Sequence, residues 1–137
     1  MAQMAASLMA LISLFGLRAE PQVRLVDVCD VFKNRSEWNG QMILLRGIVG
    51  IGPHGTALFA NKQCPARIYL DGIEFPAAVW IKPSPSRLEP GDTETYLGEF
   101  QTRIHFEHEH DGFGEEGAFP GQLLFKRTIV GLGADKH

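Results

Sequence analysis

The chain has 137 residues, a formal net charge of -3, 45% hydrophobic residues and 21% charged residues. That length suits one domain, and that balance of residues suits a folded core, so two large domains and a disordered chain are excluded. The acidic balance argues against a protein held on nucleic acid by phosphate contacts and against a polybasic membrane binder.

Residues 5–17 read AASLMALISLFGL, thirteen positions without a charge. A membrane-spanning helix needs about 20 apolar residues, whereas the apolar core of a secretory signal is this short. The small Ala19 precedes Glu20 and Pro21. Residues 1–19 are therefore expected to be a cleaved signal peptide, leaving residues 20–137 as a single domain with no stable membrane span. The expected location is periplasmic or secreted.

The 15 glycines and eight prolines foretell many turns and a mainly β fold. Over residues 25–36, Leu25, Val28, Cys29 and Phe32 recur on one helical face, which predicts a short amphipathic helix. Asn39-Gly40 ends it. Residues 41–50 predict a central strand, with Gly47 at a bend. A turn at residues 53–55 and a strand over 56–60 follow. Residues 66–70 predict a strand turned by Asp71-Gly72, and residues 77–82 predict another. The segment PSPSRLEPG, with three prolines, is an extended connector. Residues 94–106 alternate, with Tyr96, Phe100, Ile104 and Phe106 on one face, and predict a long half-buried strand bent at Gly98. Residues 107–121 are a polar, glycine-rich loop, residues 122–130 a last strand, and the remainder a tail. Five to six strands in so small a chain avoid open edges best by curling into a partly open barrel; a β-sandwich is the alternative.

Cys29 and Cys64 are the only cysteines. In an exported chain an even count predicts a disulfide, here closing a loop of about 36 residues for roughly 3–4 kcal/mol. Their spacing is not that of a C-x-x-C redox motif.

The segment 27–32 with Trp38, Gly40, Leu45-Arg46-Gly47, Gly55, Phe59, Cys64, Ala78-Val79-Trp80-Ile81, Gly98-Glu99-Phe100 and Gly112-Phe113-Gly114 resembles a group of small exported bacterial proteins with an OB-like barrel and no assigned function. The resemblance implies an exported OB-like β-barrel with one short N-terminal helix. It implies no activity. A histidine that follows the G-[YF]-G step in that group is replaced here by Glu115, so no site built on it carries over.

Residues 105–111, HFEHEHD, hold three imidazoles and three carboxylates in a run of seven. Imidazole and carboxylate are ligands for divalent zinc, copper or nickel, which makes His105, His108, His110 and Asp111 the candidate metal set. The competing reading is a solvated acidic loop with no cofactor. No serine lies in a nucleophile-elbow setting, and Glu115-Glu116 has no surroundings that would split the two pKa values. Gly112-x-Gly114-x-x-Gly117 matches a dinucleotide fingerprint in letters only, because no helix follows. Arg46, Arg67 and Arg103 with Tyr69 and Trp80 would form a stacking groove only if they share a face; Trp80, Tyr69 and Arg103 are the candidate ligand-binding residues. The expectation is a non-enzymatic binding module for an envelope or secreted protein, a peptide or a glycan, and not for nucleic acid, with loop 107–121 as its functional edge. A metal-binding protein and a small hydrolase are the alternatives.

Overall fold

The computed structural model describes residues 22–53 and 55–130. The expected signal peptide over residues 1–19, His54 and the expected tail from residue 131 lie outside the described residues.

The chain is mainly β. Its organising strand is β2 (Met42–Gly52), whose alternation is almost unbroken: Ile43, Leu45, Gly47 and Val49 are buried and the residues between them are not. One strand of 11 residues is long enough to serve two neighbours. Met42 to Ile48 pair antiparallel with β7 (Thr93–Thr102), and Ile48 to Gly52 pair antiparallel with β3 (Gly55–Phe59). Ile48 belongs to both ladders and marks the change of partner. Next, β3 pairs antiparallel with β6 (Ala78–Lys82), β6 pairs parallel with β8 (Gly121–Thr128), and β8 pairs antiparallel with β7. The ring β2-β3-β6-β8-β7 thus closes on itself. Numbered along the barrel, the order is 1-2-3-5-4-1, the connectivity of an OB-like barrel. Closure is complete, so the expected barrel exists without the open seam.

The parallel seam between β6 and β8 is short, with three paired positions from Trp80↔Gln122 to Lys82↔Leu124. Inside the ring Leu45, Leu58, Val79, Ile81, Tyr96, Phe100 and Leu123 make a core with almost no exposure. Full burial of each such side chain contributes about 1.5–3 kcal/mol. Gly98 lies where the β7–β8 register shifts: Leu97 faces Arg127, but Gly98 faces Phe125, so Lys126 has no opposite number. A Cβ at Gly98 would sit 2.6 Å from the Leu124 carbonyl oxygen and 2.7 Å from Leu123 Cγ. Only glycine lets the strands approach that closely at the bulge. At Gly47, by contrast, the pairing runs on without a shift.

Three local expectations need correction. The single helix over residues 25–36 is instead a short strand β1 (Leu25–Asp27), a one-turn helix α1 (Val28–Val31) and a second one-turn helix α2 (Arg35–Trp38). Leu25 is drawn into parallel pairing with Leu44 of β2 and is 43% exposed. Asp27 accepts two hydrogen bonds from Arg46, at 2.7 and 3.1 Å, which fix β1 on β2. Val26, Val28 and Val31 are poor helix formers whose burial is satisfied by short elements as well as by a long one. Asn34, at φ -130 and ψ 46, separates the two turns. Second, residues 73–76 form a strand that the sequence reading missed. β4 (Arg67–Leu70) and β5 (Ile73–Pro76) make a separate hairpin, turned by Asp71 and Gly72 with φ of 54° and 79°. Positive φ at both central residues is the tight hairpin turn that Asp-Gly favours. Third, β7 ends at Thr102 rather than 106. The carbonyls of Arg103 and Ile104 are taken by the Arg35 guanidinium at 3.2 and 3.0 Å, so the chain leaves the sheet there, with Ile104 exposed.

The hairpin and α1 cover one end of the barrel. Phe75 and Phe106 pack at 4.7 Å, Phe32 meets Phe100 edge-on at 5.9 Å, and Cys29 is disulfide-bonded to Cys64 as expected, tying α1 to the connection before β4. Asp71 joins three segments. Its carboxylate accepts the Phe106 backbone N–H at 2.8 Å and Arg35 at 3.2 Å, which seats the start of the long β7–β8 connection against the hairpin tip.

Candidate functional site

The connection between β7 and β8 is not a loose acidic loop. Asp111 accepts the backbone N–H groups of Glu107 and His108 at 2.9 and 2.8 Å. Those two donors, Glu107 first and His108 second, hold the Asp111 carboxyl below its usual range. Phe113 and Phe119 exchange backbone hydrogen bonds at 2.7 and 3.0 Å, and Gly112 donates to the Gly117 carbonyl at 2.9 Å. His110 Nδ1 lies 3.2 Å from the Glu116 carbonyl oxygen, so the tautomer with a proton on Nδ1 donates there. At the far end, Thr102 Oγ1 donates to the Pro120 carbonyl at 2.8 Å. The result is a small folded lobe with a 3-10 turn at Glu115–Gly117.

This architecture uses the histidine-rich run for turns. His105, His108 and His110 are exposed, and one Asp111 oxygen takes both backbone donors. His110 has Glu109 for a neighbour, with Nε2 3.6 Å from Oε1. Among the described residues no three His, Cys, Asp or Glu side chains converge in an arrangement that could hold a metal ion.

The three ligand-binding candidates are not brought together. Tyr69 stands on β4, 69% exposed, and donates from its hydroxyl to Glu74 at 3.2 Å. It lines a groove of about 510 Å³ beside the disulfide. Glu74 also accepts Arg67 at 2.7 Å, and Arg67 and then Tyr69 hold its carboxyl below the usual range. Arg103 is exposed past the end of β7. Arg46 is engaged by Asp27 and Arg67 by Glu74, so the arginines do not assemble a basic stacking face.

Trp80 occupies a different groove, of about 390 Å³, within the roughly 300–1,000 Å³ range of ligand pockets. Its walls are the end of β2 with Pro53, the outer faces of β3 and β6, and the lobe residues Glu115, Glu116 and Phe119. In barrel numbering these are the first hairpin turn, the second and third strands, and the loop between the fourth and fifth strands. OB barrels take ligands on that face, between those loops.

Glycines make the groove possible. A Cβ at Gly55, whose φ is +150°, would strike the six-membered ring of Trp80. A Cβ at Gly114, whose φ is +75°, would sit 2.8 Å from Trp80 Cδ2 and 3.0 Å from Phe119 Cδ2. Trp80 therefore lies flat in a slot between β3 and the lobe, with Phe119 tilted against it at 5.2 Å. Phe59 lies in the same way across Gly50. Aromatic rings laid over glycines restore packing where a strand lacks side chains. Beside them Ile51 and Phe59 stay 47% and 38% exposed. Glu116 holds a left-handed conformation at φ 59°, which costs a non-glycine residue about 1–2 kcal/mol. The lobe's hydrogen bonds hold it there.

Sequence reading picked Trp80 and the loop but missed Phe59, Phe119 and the glycines that seat the rings. The available signal was the run Gly50, Gly52 and Gly55 flanking the hairpin turn, where a packed strand has side chains. No family model matches the chain, and no curated protein and no solved structure matches it.

Proposed function

We propose that the chain is an exported, non-enzymatic binding module, periplasmic or secreted, that captures its ligand in the groove between the β2–β3 turn and the 107–120 lobe. The observation that carries this reading is the Trp80 slot: a preformed aromatic platform, walled by two loops, on the ligand-binding face of a closed barrel. The described lining supplies apolar surface and two carboxylates. Export is supported by the apolar leader, by the resemblance to small exported bacterial proteins, and by the Cys29–Cys64 bridge, since disulfides persist in oxidising compartments. No helix among the described residues is long and apolar enough to cross a membrane.

Trp38→Phe leaves Trp80 as the single tryptophan, so its fluorescence reports on the groove. Ligands selected from peptide and glycan libraries are expected to change that signal. They should bind at least about tenfold more weakly, or about 1.4 kcal/mol, when Trp80→Ala or Ile51→Ser is introduced. Ile51→Ser alters an exposed side chain and leaves the core intact, so a folding defect at Trp80 does not confuse the result. Selected ligands that bind both variants as tightly as the parent would sink the groove reading.

A further inference from the structure

The lining of the Trp80 groove narrows the chemistry of what it holds, and the narrowing rests on the groove being the binding site. Its floor is Trp80, Phe59, Ile51 and Phe119 with glycine backbone between them. Its polar side chains among the described residues are Glu115 and Glu116, together on the 3-10 turn at one rim. Three occupants can be weighed against that composition. A nucleic-acid strand would bring phosphates to two carboxylates, with no lysine or arginine among the described lining residues to meet them. A glycan satisfies many hydroxyls through several convergent donors and acceptors, and this wall offers two like-charged acceptors on one side. A cation flanked by apolar groups matches all parts at once: carboxylates for the charge, and the apolar walls, including the accessible part of Trp80, for the flanks.

The backbone adds a further limit. β3 is hydrogen-bonded on both sides, to β2 and to β6, so a chain crossing this face cannot join the sheet through it. Recognition must come through inserted side chains. We infer that the groove takes a segment of a partner protein that presents an arginine or lysine beside an apolar residue, the cationic head against Glu115 and Glu116, the apolar neighbour against Trp80, Ile51 and Phe59.

The test uses three acetylated and amidated five-residue peptides, with leucine at the odd positions and arginine, glutamine or glutamate at the even ones. Each is titrated into the Trp38→Phe protein while Trp80 fluorescence and backbone amide shifts are followed. The arginine peptide is expected to bind about tenfold more tightly than the glutamine peptide at low salt, with the glutamate peptide weakest. The shifts should centre on residues 50–59, 80 and 114–119. Raising the salt to about 1 M, where screening acts within about 3 Å, should shrink the gap. In Glu115→Gln/Glu116→Gln, changed at exposed positions, the arginine and glutamine peptides should come within about twofold of each other. Equal binding of those two peptides to the parent overturns the cationic assignment and leaves the groove standing. The same holds if all three peptides are silent while a neutral ligand from the library screen depends on Trp80. Loss of Trp80 dependence for every ligand overturns the groove itself.

Discussion

Tyr96 is 1% exposed at the middle of β7, packed edge-on against Phe125 at 5.2 Å, and among the described residues its hydroxyl meets no hydrogen-bond partner. Burial first, and the charge of Glu94 second, push its pKa up to about 12. A buried hydroxyl without a partner costs about 1–3 kcal/mol of lost solvation, so Tyr96→Phe is expected to stabilise the protein by about 1 kcal/mol near neutral pH. The sign at high pH follows from linkage. An unfolded tyrosine releases its proton near pH 10, while the folded one keeps it to about 12. Tyr96 therefore contributes its full share below pH 10, and the folded state loses ground as pH rises from 10 to 12. Urea unfolding of the parent and Tyr96→Phe at pH 8 and pH 11 should show the variant's advantage widening. An advantage that stays constant would refute the assignment. At this scale the sequence was informative where one side chain decides the matter. Tyr96 was placed on the buried face by alternation, and Gly98 at a bend by its setting in a strand. Phe119 was not legible, because its partner across the groove lies 39 positions earlier in the chain and no local pattern connects them.

Among the elements, the clearest misreading was the helix over residues 25–36, and its cause is physical. The 3.6-residue spacing of Leu25, Val28, Cys29 and Phe32 is genuine, yet an isolated short helix is marginal, and strand pairing plus the Asp27–Arg46 contact outcompetes it. The β4–β5 hairpin was half legible. Asp71-Gly72 signals the turn, but β5 is four residues ending in proline, too short for a pattern of its own. These elements depend on one another at the barrel end, where α1 and the segment before the hairpin share the Cys29–Cys64 bridge. With the cysteines 35 positions apart, loop closure in the unfolded chain gives the bridge roughly 3–4 kcal/mol. Cys29→Ala/Cys64→Ala should lose about that much in urea unfolding while the Trp80 fluorescence of the native protein stays unchanged, since the disulfide and Trp80 line different grooves. A loss under about 1 kcal/mol would mean that α1 and the hairpin are held by packing at Phe32, Phe75 and Phe106 rather than by the bridge.

For the whole molecule, what the sequence made legible was the barrel and what it hid was the division of labour around it. Alternation, turn residues and the need to protect edges together lead to a small, partly open β-barrel, which the structure closes completely. They do not reveal that the long β7–β8 connection folds into a lobe through backbone hydrogen bonds, because those bonds leave no side-chain periodicity. The run of histidines and acids read as a metal set was chemically suggestive, but Asp111 is used to turn the chain and no three such side chains converge among the described residues. The barrel and the lobe should accordingly separate by experiment. Thr102 pairs with Gly121 at the end of the β7–β8 ladder, and Phe106, at the start of the connection, belongs to the core. Replacing residues 107–118 with a short glycine-serine linker therefore keeps every barrel strand and the Phe106 contact with Phe75. Such a variant should unfold in one cooperative transition with the parent's β-sheet circular dichroism. Its stability should fall by only about 1–2 kcal/mol, because surface loops contribute modestly and loop-closure entropy changes slowly with length. The same variant should fail to bind any ligand that reports through Trp80, since Gly114, Glu115 and Glu116 go with the lobe. Retained binding would place the recognition surface on the strands alone. Loss of the cooperative transition would show that the lobe is part of the barrel's folding unit rather than a wall built onto it.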